Sequence, residues 1–80
     1  MSDLESPQKI KKDIDKLERN LKQVEHINFE GLEKDVYNRA IDYWNDSKYY
    51  LEKGDMRTAF GCIEYSHGLL DALRMMYELI

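Results

Sequence analysis

The chain has 80 residues, of which 42% are hydrophobic, so it has enough apolar surface for one folded domain and is unlike a globally disordered chain. A domain this short cannot enclose a large, dry catalytic cavity, and its formal net charge of −4 argues against nucleic-acid binding, which usually goes with a basic excess. Cys62 is the only cysteine, which excludes an internal disulfide; with no signal peptide or membrane-length apolar run in the sequence, we expect a cytoplasmic protein.

The first helix is predicted over about residues 7–26. Ser6 is a good N-cap residue, and Pro7 suits the first helical position because its missing N–H would have no partner there. Apolar residues then recur at alternating intervals of four and three, at Ile10, Ile14, Leu17, Leu21 and Val24. This seam is narrow and short, so we expect it to pack against other helices, either within the chain or across a dimer.

The second helix is predicted over about residues 33–53, after a break marked by Asn28 and Gly31. Its apolar and aromatic face is formed by Val36, Ala40, Tyr43, Ser47, Tyr50 and Leu51, with Trp44 at the edge. Gly54 and Asp55 then indicate a tight turn, because glycine tolerates the left-handed conformation after a helix and aspartate can cap the next one. Two helices joined so closely must pack as an antiparallel hairpin.

The third helix is predicted over about residues 56–79 and has a wide apolar stripe, formed by Ala59, Cys62, Ile63, Ser66, Leu69, Leu70, Leu73, Met76, Tyr77 and Ile80. The opposite face carries Glu64, His67, Asp71, Arg74 and Glu78. Gly61 and Gly68, seven residues apart, indicate either a close approach of another backbone or simple tolerance of glycine. The sequence thus predicts an all-α fold, an elongated three-helix bundle with a long antiparallel C-terminal helical hairpin, as a single domain over residues 1–80.

A family likeness rests on two strings in the hairpin. They are D-S-K-Y-Y-L-E-K-G-D, from Asp46 to Asp55, and A-F-G-C-I-E-Y-S-H-G-L-L-D-A, from Ala59 to Ala72. Together they resemble the short archaeal proteins of domain-of-unknown-function family 357, and the spacing across the Gly54 turn fits. The resemblance implies a compact helical domain of archaeal origin with no established activity, so it supplies no catalytic residues.

The hairpin also resembles HEPN-type helical domains, in which a Y-x-x-x-G-D loop joins two long helices. Nuclease members of that group carry an arginine followed, after four to six residues, by a histidine. Here Arg57 and His67 are separated by nine residues, which argues against ribonuclease activity. The resemblance to family 357 also implies that such domains can sit beside cytidylyltransferase-like ones, and together with the HEPN-like hairpin this gives an alternative function. The chain would then be an accessory helical domain of a nucleotide-handling or RNA-processing enzyme.

Four polar residues form the candidate chemical site. His67 and Asp71 are four apart on helix 3, as are Asp42 and Asp46 on helix 2. Imidazole and carboxylate groups at this spacing could share a metal or form an acid–base pair. We favour solvated helix faces with weak ion pairs for His67 and Asp71 and structural hydrogen bonding for Asp46, because nothing in the sequence makes the four converge. We therefore expect no catalytic residue, no metal and no cofactor.

The candidates for partner contacts are apolar and aromatic. Tyr49 points away from the apolar face of helix 2, Phe60 lies among polar residues, and Met75 and Leu79 belong to an apolar C-terminal run. Packing at the margin of the core is the alternative for Tyr49 and Phe60, and base stacking is disfavoured because lysines and arginines are not interleaved with the rings. We expect a non-catalytic helical module that binds another protein or itself, with a homodimer favoured, and neither membrane nor nucleic acid as its partner.

Overall fold

Three α-helices make up the fold in the computed structural model, which describes residues 6–80. α1 spans Pro7–Val24, α2 spans Gly31–Glu52 and α3 spans Met56–Met76. They form an elongated bundle of 39 × 20 × 16 Å, and the described residues contain no strand, which confirms the predicted all-α fold. None of these three helices is long and apolar enough to cross a membrane.

α1 begins as its sequence predicts. The hydroxyl of Ser6 accepts a hydrogen bond from the Lys9 amide at 3.1 Å, and Pro7 is the first helical residue. The predicted seam faces the core, with Ile10, Ile14, Leu17 and Val24 buried and Leu21 partly buried. The helix ends two residues before the predicted end, where the Ile27 amide donates to the Val24 carbonyl and the chain turns.

The segment between α1 and α2 supplies a core residue that the sequence pattern does not identify. Phe29 is buried, and its ring lies 5.2 Å from that of Tyr37 and 5.5 Å from that of Tyr77, measured between ring centroids. A loop residue belongs to no helical repeat, so periodicity could not assign it to the core. α2 starts at Gly31, before the predicted start, and ends one residue before the predicted end.

The turn between α2 and α3 has the predicted chemistry. Gly54 has φ +84°, its amide donates to the Leu51 carbonyl, and the Asp55 amide donates to the Tyr50 carbonyl. This is the Schellman arrangement, in which a left-handed residue closes a helix. A carboxylate oxygen of Asp55 then accepts from the Thr58 amide at 3.2 Å and caps α3.

α3 ends with a second Schellman arrangement, three residues before the predicted end. The Glu78 amide donates to the Met75 carbonyl, and the Leu79 amide donates to the Arg74 carbonyl at 2.8 Å. Glu78 holds the left-handed position with φ +58°, without the glycine that usually occupies it. The ending at Met76 places Met76 and Ile80 among exposed residues, although the sequence pattern put both on the buried stripe.

The interface between α2 and α3 is built on small residues. Ala40, Ser47, Ala59 and Ser66 have no exposed surface, and the Ser66 hydroxyl donates to the Ala40 carbonyl at 2.7 Å. A side-chain hydroxyl can reach a helical carbonyl of the neighbouring helix only where the two helices are close. Gly61 and Gly68 do not make this approach, since a Cβ atom built on either would have nothing within 4 Å. Of the two interpretations of these glycines, the structure supports tolerance.

α1 lies mainly against α3 and runs parallel to it, which makes an up-down-up bundle. Asp13, in the first half of α1, bonds to His67 of α3. Gln23, near the end of α1, bonds to Arg74, which comes later in α3. Arg74 was predicted on the solvated face, but it is 9% exposed, so that prediction is wrong. Its guanidinium group reaches across to α1, and its aliphatic stem is covered on the way.

Candidate functional site

A shallow polar groove lies between α1 and α3. It is lined by Lys9, Asp13, Lys16, Glu64, His67 and Asp71. The groove brings together His67 and Asp71 of the predicted polar site and adds α1 residues that the sequence could not place beside them. Its lining carries three carboxylates, two ammonium groups and one imidazole, so it is a mixed-charge surface.

His67 acts as a cross-link between the two helices. Its ring Nε2 lies 2.8 Å from the backbone carbonyl oxygen of Asp13. Because a carbonyl oxygen only accepts hydrogen bonds, Nε2 must carry the proton and Nδ1 is the free lone pair of the neutral ring. The imidazole is half-buried and occupied by a structural bond.

Asp13 is the most buried carboxylate of this groove. It is 8% exposed; one oxygen, Oδ1, pairs with the Lys9 ammonium, and the other, Oδ2, has no hydrogen-bond partner. Asn20, seven residues along the same helix, leaves its amide nitrogen unpartnered in the same way. The Oδ2 atom is shielded from solvent by the protein, so it does not present an open ligand position.

Asp71 is also engaged. Its Oδ1 atom accepts from the Arg74 guanidinium at 2.8 Å, and Arg74 Nε donates to the Gln23 side chain at 2.9 Å. The ion pair lies within α3, and the bond from Arg74 to Gln23 links α3 to α1. His67 and Asp71 share a groove, but each is committed to a different structural partner.

Asp42 and Asp46 do not join His67 and Asp71. Asp42 lies in a separate open groove, with Asp35, Asn38, Arg39 and Tyr43. Asp46 is exposed, and its charge acts on Cys62 of α3. Within residues 6–80, no group of three or more histidine, cysteine or acidic side chains is placed to hold a metal ion.

Cys62 is partly buried, and burial raises the pKa of its thiol, with the negative charges of Asp46 and Asp55 adding to the shift. A raised pKa disfavours the thiolate, which is the nucleophilic form. Cys62 is therefore a poor candidate for a nucleophile.

An apolar surface, in contrast to the polar groove, is found where the start of α2 meets the end of α3. We call this surface the apolar end; its large side chains are Leu32, Met75, Met76, Tyr77, Leu79 and Ile80. Exposure reaches 82% for Leu32 and 64% for Met75. Six of the eight large apolar or aromatic side chains that are exposed in residues 6–80 lie here, so the exposure is concentrated at one place.

Tyr77 ties the apolar end together. Its hydroxyl donates a hydrogen bond to a Glu33 carboxylate oxygen, and its ring meets Phe29 edge-on. The bond to Glu33 raises the pKa of Tyr77, and the charges of Glu33 and Glu30 add to the shift. These contacts fix the last turn of α3 against the first turn of α2.

The four predicted partner-contact residues occupy two regions. Met75 and Leu79 belong to the apolar end, whereas Tyr49 and Phe60 flank the hairpin turn at the other end of the bundle. Tyr49 is 55% exposed, but Phe60 is partly buried and packs against the core. Leu32 is the apolar-end residue that the sequence pattern missed, because it stands before the predicted start of its helix.

Lysines do lie beside aromatic rings, contrary to the sequence-based expectation. Lys48 Nζ is 3.7 Å from the centroid of the Trp44 ring, and Lys53 Nζ is 5.4 Å from that of Tyr49. Trp44 Nε1 also donates to a Glu18 carboxylate oxygen at 3.1 Å. The ring faces are covered by these cations and the edge of Trp44 faces an acid, so the pattern is one of intramolecular cation–π contacts.

Comparison with known proteins identifies the family. The model of a family described as "Protein of unknown function (DUF357)" matches residues 12–79. The chain belongs to this family. No curated protein matches the sequence.

The DUF357 match extends beyond the hairpin strings. It starts in α1, includes all of α2 and α3, and reaches Leu79 of the apolar end. α1 is therefore part of the family domain, although its charged heptads add little to the sequence likeness.

Proposed function

We propose that this DUF357 protein is a non-catalytic helical module that binds another protein through its apolar end. The observation that carries the proposal is the clustering of six large, exposed apolar side chains where α2 begins and α3 ends. Single apolar residues are ordinary on protein surfaces, whereas a concentration of them at one end of a molecule is typical of an interaction site.

The apolar end is also held in a defined shape. Tyr77 is fixed by Phe29 and Glu33, and the Schellman bonds fix the backbone of Leu79. A surface that is already ordered loses less entropy when it binds. Met75 and Met76 add unbranched, polarizable side chains that adapt to the shape of a partner.

The non-catalytic part of the proposal is supported by the way the polar side chains are used. His67 is bonded through Nε2 to the Asp13 carbonyl and Asp71 through Oδ1 to Arg74, so both side chains already make structural bonds in this arrangement. General acid–base catalysis needs a group free to exchange a proton with substrate. These side chains instead hold α1 on α3.

The test begins with capture of proteins from native cell extract on the wild-type chain, followed by calorimetry with each purified candidate. We expect Leu32→Ser and Met75→Ser each to weaken the binding of a genuine partner by about tenfold or more, equivalent to about 1.4 kcal/mol. Tyr49→Ser, at the other end of the bundle and similarly exposed, is the matched control and should bind as the wild type does. If every captured partner bound both apolar-end variants as tightly as the wild type, the proposal would be refuted.

Pairing of two copies, which the sequence favours, stays a prediction. Sedimentation equilibrium of the wild type and Met75→Glu tests it directly. A wild-type dimer that becomes monomeric in the variant would assign the apolar end to a second copy, whereas monomers throughout would leave it to a different protein.

A further inference from the structure

We infer that the apolar end takes an apolar segment flanked by lysine or arginine residues, supplied by a different protein. This inference rests on the proposed function and specifies its partner. It follows from the charges that surround the apolar side chains.

The rim of the apolar end is acidic. Residues 25–34, which lead into α2 and form its first turn, carry Glu25, Glu30 and Glu33 against Lys34, a net charge of −2 without His26. Glu33 contacts Tyr77 directly, and the charge of Glu30 also acts on the Tyr77 hydroxyl. These two carboxylates therefore lie next to the apolar side chains.

The neighbouring part of α3 does not neutralise this charge. Arg74 is the basic residue of α3 that lies nearest to the apolar end along the chain, but its side chain is buried and paired with Asp71. Glu78 adds a further acidic residue in the turn that ends the helix. A partner with basic residues beside its apolar side chains would complement both parts of this surface.

The same charges disfavour the two other occupants that an apolar surface could have. Two copies meeting through this end would bring two acidic rims together, on a chain whose net charge is already −4. A bilayer of anionic lipids would be repelled in the same way. A basic and apolar protein segment meets neither obstacle.

The experiment uses two synthetic amphipathic peptides with leucine at the same positions, one with lysine and one with glutamate at all the others. Binding of each to the full chain is measured by calorimetry, and the contact surface is mapped by NMR of the methyl groups of Leu32, Met75, Met76, Leu79 and Ile80. We expect the leucine–lysine peptide to bind at the apolar end and the leucine–glutamate peptide not to bind. The affinity should fall as NaCl is raised from about 0.05 to about 0.5 M, because salt screens exposed charges.

Two charge reversals separate the rim from general attraction between an acidic protein and a basic peptide. Glu30→Lys alters the rim, while Asp46→Lys makes the same change in net charge at an exposed position farther along α2, about 24 Å away at 1.5 Å per residue. Glu30 makes no side-chain capping bond, so its replacement breaks no hydrogen bond at the helix start. We expect Glu30→Lys to lower the affinity for the leucine–lysine peptide by about fivefold, and Asp46→Lys to lower it by less than about twofold.

Other outcomes overturn the inference in distinguishable ways. Equal binding of both peptides at the apolar end would be compatible with the proposed function, but it would refute the requirement for basic residues in the partner. Equal weakening by Glu30→Lys and Asp46→Lys, or methyl shifts away from the apolar end, would reduce the binding to non-specific attraction. Binding of neither peptide would refute the basic segment, and the capture experiment would then judge the proposed function separately.

Discussion

Replacing the two glycines inside α3 by alanine should stabilise the protein. Gly61 and Gly68 are exposed and lie in the middle of a helix, and a Cβ atom at either position would meet nothing within 4 Å. Alanine therefore introduces no clash, and it removes conformational freedom from the unfolded chain that glycine must lose on folding.

The magnitude follows from helix propensity. Each substitution should raise the free energy of unfolding by about 0.5–1 kcal/mol. The two sites are seven residues apart, or about 10 Å along the axis, and they share no contact, so the effects should add to about 1–2 kcal/mol. In a domain of this size that corresponds to a rise in Tm of about 4–16 °C.

The assay is urea and thermal unfolding followed by circular dichroism for Gly61→Ala, Gly68→Ala and the double variant. Gly54→Ala is the matched control of opposite sign, because alanine at φ +84° is strained by about 1–2 kcal/mol. A lower Tm for either helical variant would show that a backbone does approach that glycine. The reasoning from open space around the Cβ position would then be wrong.

Three further substitutions test other features. Glu78→Gly should raise the unfolding free energy by about 0.5–1 kcal/mol in urea titrations, because glycine relieves the left-handed backbone; a loss of stability would refute the assigned cap. Arg74→Ala should lower the unfolding free energy by about 1.5–3 kcal/mol, because it removes charged hydrogen bonds. The control Arg39→Ala, at an exposed position, should lower it by less than about 0.5 kcal/mol, and equal effects of the two substitutions would contradict the link to α1. The bond to Glu33 raises the pKa of Tyr77 above its ordinary 10.0, so its stabilising effect is complete below pH 10.0 and is lost as the pH rises through the raised pKa. Unfolding measured against pH should therefore show a steeper alkaline loss for the wild type than for Tyr77→Phe, and parallel curves would refute the bond.

The sequence predicts the elements of this fold where the signals are local. Ser6, Pro7, Gly54 and Asp55 each act within one turn of the chain, and the structure confirms all four. The end of α3 was not predictable from such rules, because Glu78 is not a usual left-handed residue. That ending instead coincides with tertiary contacts of Tyr77.

Burial at the edges of a helical face was harder to predict. Arg74 falls on the charged side of α3 by periodicity, yet its long stem reaches back to Gln23. Phe29 is buried without belonging to any helix. Periodicity reports where a Cβ atom points, and it says nothing about how far a long side chain reaches or how a loop folds back.

The candidate site was predictable only in part. The sequence places His67 and Asp71 on one face, and the structure puts both in one groove. It could not supply the α1 side of that groove, because the register of α1 against α3 depends on contacts between residues 51 and 54 positions apart. The same limit explains why Leu32 was not joined to the C-terminal run.

The unequal packing of the three helices has a kinetic consequence. α2 and α3 are joined by a tight turn and pack closely, so their contacts close a short loop and can form early in folding. α1 is attached mainly to α3 by bonds that span a long stretch of chain, and it can leave the hairpin without breaking the Ser66–Ala40 contact. We therefore expect α1 to open first as a cooperative unit, so that its amides exchange with solvent deuterium faster than those at the centre of the hairpin.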